Sequence, residues 1–115
     1  MNPVTCQYFE TASGRMPAKE FIASLEMKSR QKFFAMSGLL ETFGRRLAQP
    51  HVKYLGDDIF ELRFHVREGS ARVLYFFFAG NSAVFTNGFL KKSDRTPPGE
   101  KRLAIERRRM FLTGR

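Results

Sequence analysis

At 115 residues, 43% of them apolar and 13 of them phenylalanine, the chain can bury a core without disulfide or metal staples, which excludes an intrinsically disordered segment. Twenty Lys and Arg stand against eleven Asp and Glu, a net charge of +9. Such a surface looks for an anion: nucleic acid, an acidic protein or, more weakly, a membrane surface.

Val4, Cys6 and Tyr8 alternate with polar residues, which predicts a strand over residues 4–10. Cys6, the single cysteine, cannot form an internal disulfide and reads as a buried thiol of a reducing compartment. No His or Cys cluster surrounds it, so it suggests no metal site. Gly14 supplies a turn, and Pro17 suits a first helical position. Apolar residues then recur every three or four positions, through Phe21, Ile22 and Leu25 and on through Phe33, Met36, Leu40 and Phe43. Two helices are predicted, over 17–25 and 26–43, with Gly44 as C-cap and Gln49-Pro50 closing the segment.

Strand signals return after Pro50. "VKYL" suggests a short strand, "GDD" a turn, and "IFELRFHV" over 59–66 is the strongest alternation in the chain. "REGS" is hairpin chemistry, and "ARVLYFFFA" is apolar on both faces, as a central strand is. "GNS" predicts a tight turn before the strand "AVFTNGFL", and "KKSDRTPPGE" a basic loop before a helix over 98–112. The longest apolar run, 73–79, is too short to span a bilayer, and the first residues lack the features of a secretory signal, so the expected location is cytoplasmic. The order gives an α+β class in one domain over 1–115: an N-terminal strand, a helical pair, a mainly antiparallel β-meander with helices on one face, and a C-terminal helix.

The strand "IFELRFHV" also raises the functional question. Phe60, Leu62, Phe64 and Val66 form its core face, so Glu61, Arg63 and His65 are expected on an exposed face opposite. The hairpin brings Arg72 near them, although an apolar strand with Arg72, Leu74, Phe76 and Phe78 on one nominal face leaves its direction open. Lys91 and Lys92 follow the last strand at a sheet edge. A basic platform with one carboxylate and one imidazole suits a phosphodiester: the cations stabilise the charge of a pentacoordinate transition state, and Glu61 or His65 takes the proton of an attacking 2′-hydroxyl. The plainer reading makes Glu61 and Arg63 a surface ion pair worth under about 1 kcal/mol and the lysines charges that protect a sheet edge. Lys53, Arg95, Arg107, Arg108 and Arg109 are candidates for contacts with RNA phosphates. From Thr86 onward nine Lys and Arg face three Asp and Glu, so six of the nine net charges lie in this part. For the arginines of the final helix the alternative is a solvated end that complements the macrodipole.

Taken in order, "YLGDDIFELRF", "GSARVLYFF" and "VFTNGFLKKSDRTPPGEKRLA" resemble the RelE/HigB-like toxin superfamily, in its phage-derived HigB-like branch. The resemblance covers most of the chain and implies a RelE-like fold. The implied activity is that of a type II toxin: a ribosome-dependent endoribonuclease that cuts mRNA without a metal or other cofactor. The implied partners are mRNA on the ribosome and a cognate antitoxin, with a helix-turn-helix part, and no membrane. By the motifs, Arg63, Arg72 and Lys91 or Lys92 take the phosphate-facing positions, while Glu61 stands where some members carry lysine. Several members also place a tyrosine or histidine near the C-terminus, and the last thirty residues here contain neither. That departure keeps a second reading open, a non-catalytic basic module that binds RNA or protein, as a decayed toxin or a phage-associated interaction protein.

Overall fold

A computed structural model describes residues 3–93 and 95–114; Asp94 and Arg115, counted above in the basic C-terminal part, lie outside the described residues. The elements follow the predicted order: β1 (Thr5–Tyr8), α1 (Pro17–Ala23), α2 (Met27–Phe43), β2 (Val52–Gly56), β3 (Ile59–Val66), β4 (Gly69–Phe78), β5 (Ser82–Lys91) and α3 (Pro98–Thr113). Pro17 opens α1, where a missing N–H costs nothing. Gly44 ends α2 at φ 56°, a left-handed conformation that glycine adopts without a Cβ clash. The last tight turn sits one residue earlier than "GNS": Phe78 pairs with Ser82, and Ala79 and Gly80 carry the positive φ angles of 57° and 76°.

The five strands lie in the order β1-β5-β4-β3-β2. β2 to β5 form an antiparallel meander, and β1 joins the far side of β5 in parallel, a long-range pairing that no local pattern announces. β4 is central, and every residue from Ala71 to Phe76 is buried, as a strand covered on both faces must be. The helical pair was expected on one face of the sheet and lies there, while α3 covers the other face. On one face α1 and α2 lay Ile22, Phe33 and Leu40 against Leu62, Phe64, Val73 and Phe85. On the other, α3 brings Ala104 and Phe111 over Ile59, Leu74, Phe76 and Val84. Tyr75 belongs to the first core and is fully buried. Cys6 is half buried; burial above all, with Glu41 nearby, pushes its thiol up to about 11 against the lowering effect of a bond to the Ser37 carbonyl. Among the described residues no helix is long and apolar enough to cross a membrane.

One irregularity matters beyond the fold. The β4–β5 register shifts at Leu74/Tyr75: Tyr75 faces Phe85, Leu74 faces Asn87, and Thr86 is the extra residue of a bulge. Side chains of directly paired residues share a face, so the bulge inverts the alternation of β5 from Asn87 onward. It turns Gly88 toward the helical pair, where Phe21 of α1 fills the space that a side chain would occupy: a Cβ on Gly88 would lie 2.3 Å from a ring carbon of Phe21. Gly88→Ala should therefore cost about 1–3 kcal/mol, the usual penalty of overpacking, in thermal or urea unfolding. Adding Phe21→Leu should return part of that loss; a Gly88→Ala variant as stable as the parent would mean that α1 is not seated on the strand.

Candidate functional site

Four strands meet at the part of the second face that α3 leaves open. Arg63 of β3 pairs directly with Arg72 of β4, and His65 pairs with Ser70. On β5, Phe89 lies opposite Arg72 and Lys91 opposite Ser70, so the bulge at Thr86 is what brings Lys91 to the arginine face. Lys53 of β2 pairs with Glu61. Like charges placed directly opposite one another on a sheet destabilise it, so the Arg63–Arg72 pair needs an anion within reach.

Glu61 is that anion. Its Oε1 lies 3.5 Å from Arg63 Nε and 3.6 Å from Arg72 Nε. Sequence alternation placed Glu61 on an exposed face; instead its exposure is 0%. The reason is a cover that arrives from far along the chain: the loop into α3 lays Thr96 over it, and the Thr96 hydroxyl donates to Glu61 Oε2. Arg72 is also buried, at 7% exposure, and donates from Nη1 to the Ala71 carbonyl at 2.9 Å. Glu61 Oε1 and Arg72 Nε are both buried and, among the described residues, make no hydrogen bond, so they attract as charges without closing a direct contact. Burial depresses the Arg72 guanidinium below its ordinary value, with Glu61 opposing and Arg63 adding to the shift.

Above this buried pair the surface opens into a cavity of about 370 Å³ lined by Arg63, His65, Ser70, Arg72, Lys91 and Lys92, together with Ser93. None of these is acidic. His65 and Lys92 are exposed, and His65 Nδ1 lies 3.5 Å from the Ser70 hydroxyl. Lys91 is held below the ordinary lysine value, by burial first and then by Arg72, Arg63 and Lys53, against the raising effect of Glu61. The structure thus brings together Arg63, His65, Arg72, Lys91 and Lys92, with Lys53 near enough to be felt. Ser70 and Thr96 escaped the sequence reading. Counting back from the two-residue turn at Arg67-Glu68 finds Ser70 opposite His65, but no local signal announces Thr96.

The other basic candidates divide. Lys53 and Arg95 are exposed. Arg107 turns inward, donating to the Thr86 carbonyl at 3.1 Å with its guanidinium over the Phe9 ring, and so holds the bulge. Arg108 pairs with Asp58 at 3.4 Å, and Lys101 with Asp57 at 3.0 Å, which ties the β2–β3 turn to α3. Arg109 is exposed and pairs with Glu106 on its own helix. Among the described residues no group of three or more His, Cys, Asp or Glu is placed to hold a metal ion.

Against known families, a family model described as "Phage derived protein Gp49-like (DUF891)" matches residues 20–109, most of the chain and all of the site. No curated protein matches it.

Removing one partner of a buried ion pair strands the other, at a cost of about 3–5 kcal/mol. Glu61→Ala should therefore lower the urea-unfolding free energy by that amount. A loss below about 1 kcal/mol, the value of an exposed pair, would mean that the carboxylate is not what holds the arginines in place.

Proposed function

The chain belongs to the Gp49-like family of phage-derived proteins, a RelE-like toxin family, and from that membership and the site together we propose that it is the toxin of a type II toxin–antitoxin pair, an endoribonuclease that cuts mRNA on the ribosome. The observation that carries this reading is the Arg63–Arg72 pair over one buried carboxylate, beneath a cavity that also presents His65, Lys91 and Lys92 and, among the described residues, has no acidic side chain in its lining. A surface that concentrates cations where a sheet would normally separate them is suited to a phosphodiester and to the extra charge it gains on attack.

The reaction needs an attacking group, a proton acceptor and a proton donor. The ribose 2′-oxygen supplies the first: its bond to the adjacent phosphorus forms as the bond from phosphorus to the 5′-oxygen breaks. One fragment then ends in a 2′,3′-cyclic phosphate and the other in a 5′-hydroxyl. His65, exposed and beside Ser70, takes the proton of the 2′-hydroxyl. Lys91, whose depressed value makes its ammonium a better acid, returns a proton to the 5′-oxygen. Arg63, Arg72 and Lys92 carry the developing charge. Glu61, weighed at first as a base, is too deeply covered for that task and serves to hold the arginines. The partner of such a cationic toxin is an antitoxin with an acidic face, joined to a helix-turn-helix part that binds DNA.

Induction of the chain alone in a bacterial culture should arrest growth and create new mRNA 5′ ends in primer extension. His65→Ala/Lys91→Ala should remove both, because loss of a general acid or base costs about 10²–10⁴-fold in rate. Normal growth with intact mRNA, at confirmed soluble expression, would transfer the reading to the non-catalytic basic module.

The depressed Lys91 also sets a pH dependence. Its active form as a donor is the ammonium, which is lost as pH rises through the depressed value, so the rate should fall on the alkaline side earlier than an ordinary lysine near 10.5 would allow. Lys91→Arg keeps the charge but gives up its proton far less readily. It should retain RNA binding, lose about 100-fold in rate, and no longer show that alkaline limb. An unchanged limb would assign the donor elsewhere.

A further inference from the structure

β2 begins at Val52, opposite Leu62, so the outer edge of β3 beyond Arg63 has no strand partner among the described residues. The Arg63 N–H donates to the His51 carbonyl at 2.8 Å, which anchors His51 at the point where the pairing ends. Beside that bare edge lies a second cavity, of about 400 Å³. It shares Arg63, His65 and Arg72 with the phosphate cavity, so the two are neighbours separated by those side chains. Its walls differ in kind from those of the first. Met36 and Phe64 form a buried apolar floor, and Lys32, His51 and His65 supply polar and cationic groups, with no acidic residue in the lining among the described residues.

We propose that this second cavity is a nucleobase subsite, which takes the base of a nucleotide next to the scissile phosphate. The inference rests on the phosphodiester reading of the first cavity and names what the chain binds beside it. A phosphate alone has no use for an apolar floor, and an acidic protein segment has no use for a slot whose depth is set by Met36 and Phe64. A single-stranded RNA base uses both kinds of wall: its face lies on apolar or aromatic groups and its edge accepts hydrogen bonds from side chains. Lys32 and His51 then act in binding and base preference, whereas the arginines hold the backbone.

The test is NMR titration of the full chain with a non-cleavable trinucleotide, 2′-deoxy at the scissile position, and with two copies of it that lack the base on one or the other side. One abasic copy should bind about tenfold more weakly than the intact probe. The shifts of the Lys32 and His51 signals should fade with it, while those of Lys91 remain. In Lys32→Ala/His51→Ala, whose side chains lie at the surface or rim, the intact and abasic probes should bind alike. Equal binding of all three probes to the parent chain would overturn the subsite and leave the phosphate site standing, provided that Arg72→Lys still weakens every probe. Binding that ignores Arg72→Lys, or no binding at all, would sink the phosphodiester reading and the subsite with it. Tighter occupation of the cavity by a polyglutamate peptide than by the intact probe would assign it to a protein partner instead.

Discussion

A carboxylate with no exposure to solvent is the constraint around which this molecule is arranged. Moving Glu61 out of water costs several kcal/mol unless its charge is met, and what meets it comes from three places in the chain. Arg63 comes from the same strand, Arg72 from across the hairpin, and Thr96 from the loop that leads into α3. All three arrive only if β3 and β4 hold their register and α3 lies where it does. A slip of one residue would turn Glu61 toward the helical pair, into the apolar cluster of Phe33, Leu40 and Tyr75. The site and the fold are therefore specified by the same contacts.

Much of the positive charge of α3 serves to hold the fold. Arg107 serves the Thr86 carbonyl of the bulge, while Lys101 and Arg108 reach Asp57 and Asp58, the two residues that take positive φ in the β2–β3 turn. These contacts keep α3 at one end of the second face, over Leu74, Phe76 and Val84, and leave the other end bare for Arg63, His65, Arg72 and Lys91. Arg107 has a second consequence. By satisfying the carbonyl of the extra residue it supports the bulge, and the bulge sets which face Lys91 joins. An arginine that faces away from the cavity thus helps to set the charge inside it.

Much of this was legible in the residue pattern, and the failures have physical causes. "IFELRFHV" has one strong period, so both its extent, Ile59–Val66, and the direction of its core face follow from alternation. β4 is apolar on both faces, and period therefore said nothing about the direction of Arg72. The carboxylate was expected in the open because alternation reports which face a side chain takes, not what later covers that face. Here the cover, Thr96, lies 35 residues further on. The parallel seat of β1 against β5 is another non-local pairing, and a bulge leaves no mark in a window of ten residues. Lys91 was placed beside the arginines as an edge residue following a strand. It is there, but as the last residue of β5, on their face by virtue of an inverted alternation.

A carboxylate that formed two good hydrogen bonds to each guanidinium would occupy the donors of the site. Here the nearest approaches are 3.5 and 3.6 Å, and neither Glu61 Oε1 nor Arg72 Nε makes a hydrogen bond. The attraction falls only slowly with distance, so most of the charge compensation survives at that separation, while the directional bond does not. Among the described residues, Lys53, Arg63, Arg72 and Lys91 stand around the one carboxylate of Glu61, act on one another and leave a surplus of positive charge. Glu61 thus does enough to let two arginines face each other across a hairpin, and too little to satisfy them. Arg63 and Arg72 also line a cavity in which no acidic residue stands among the described residues, and on the function proposed above an incoming phosphate would meet charges there that the fold has already assembled.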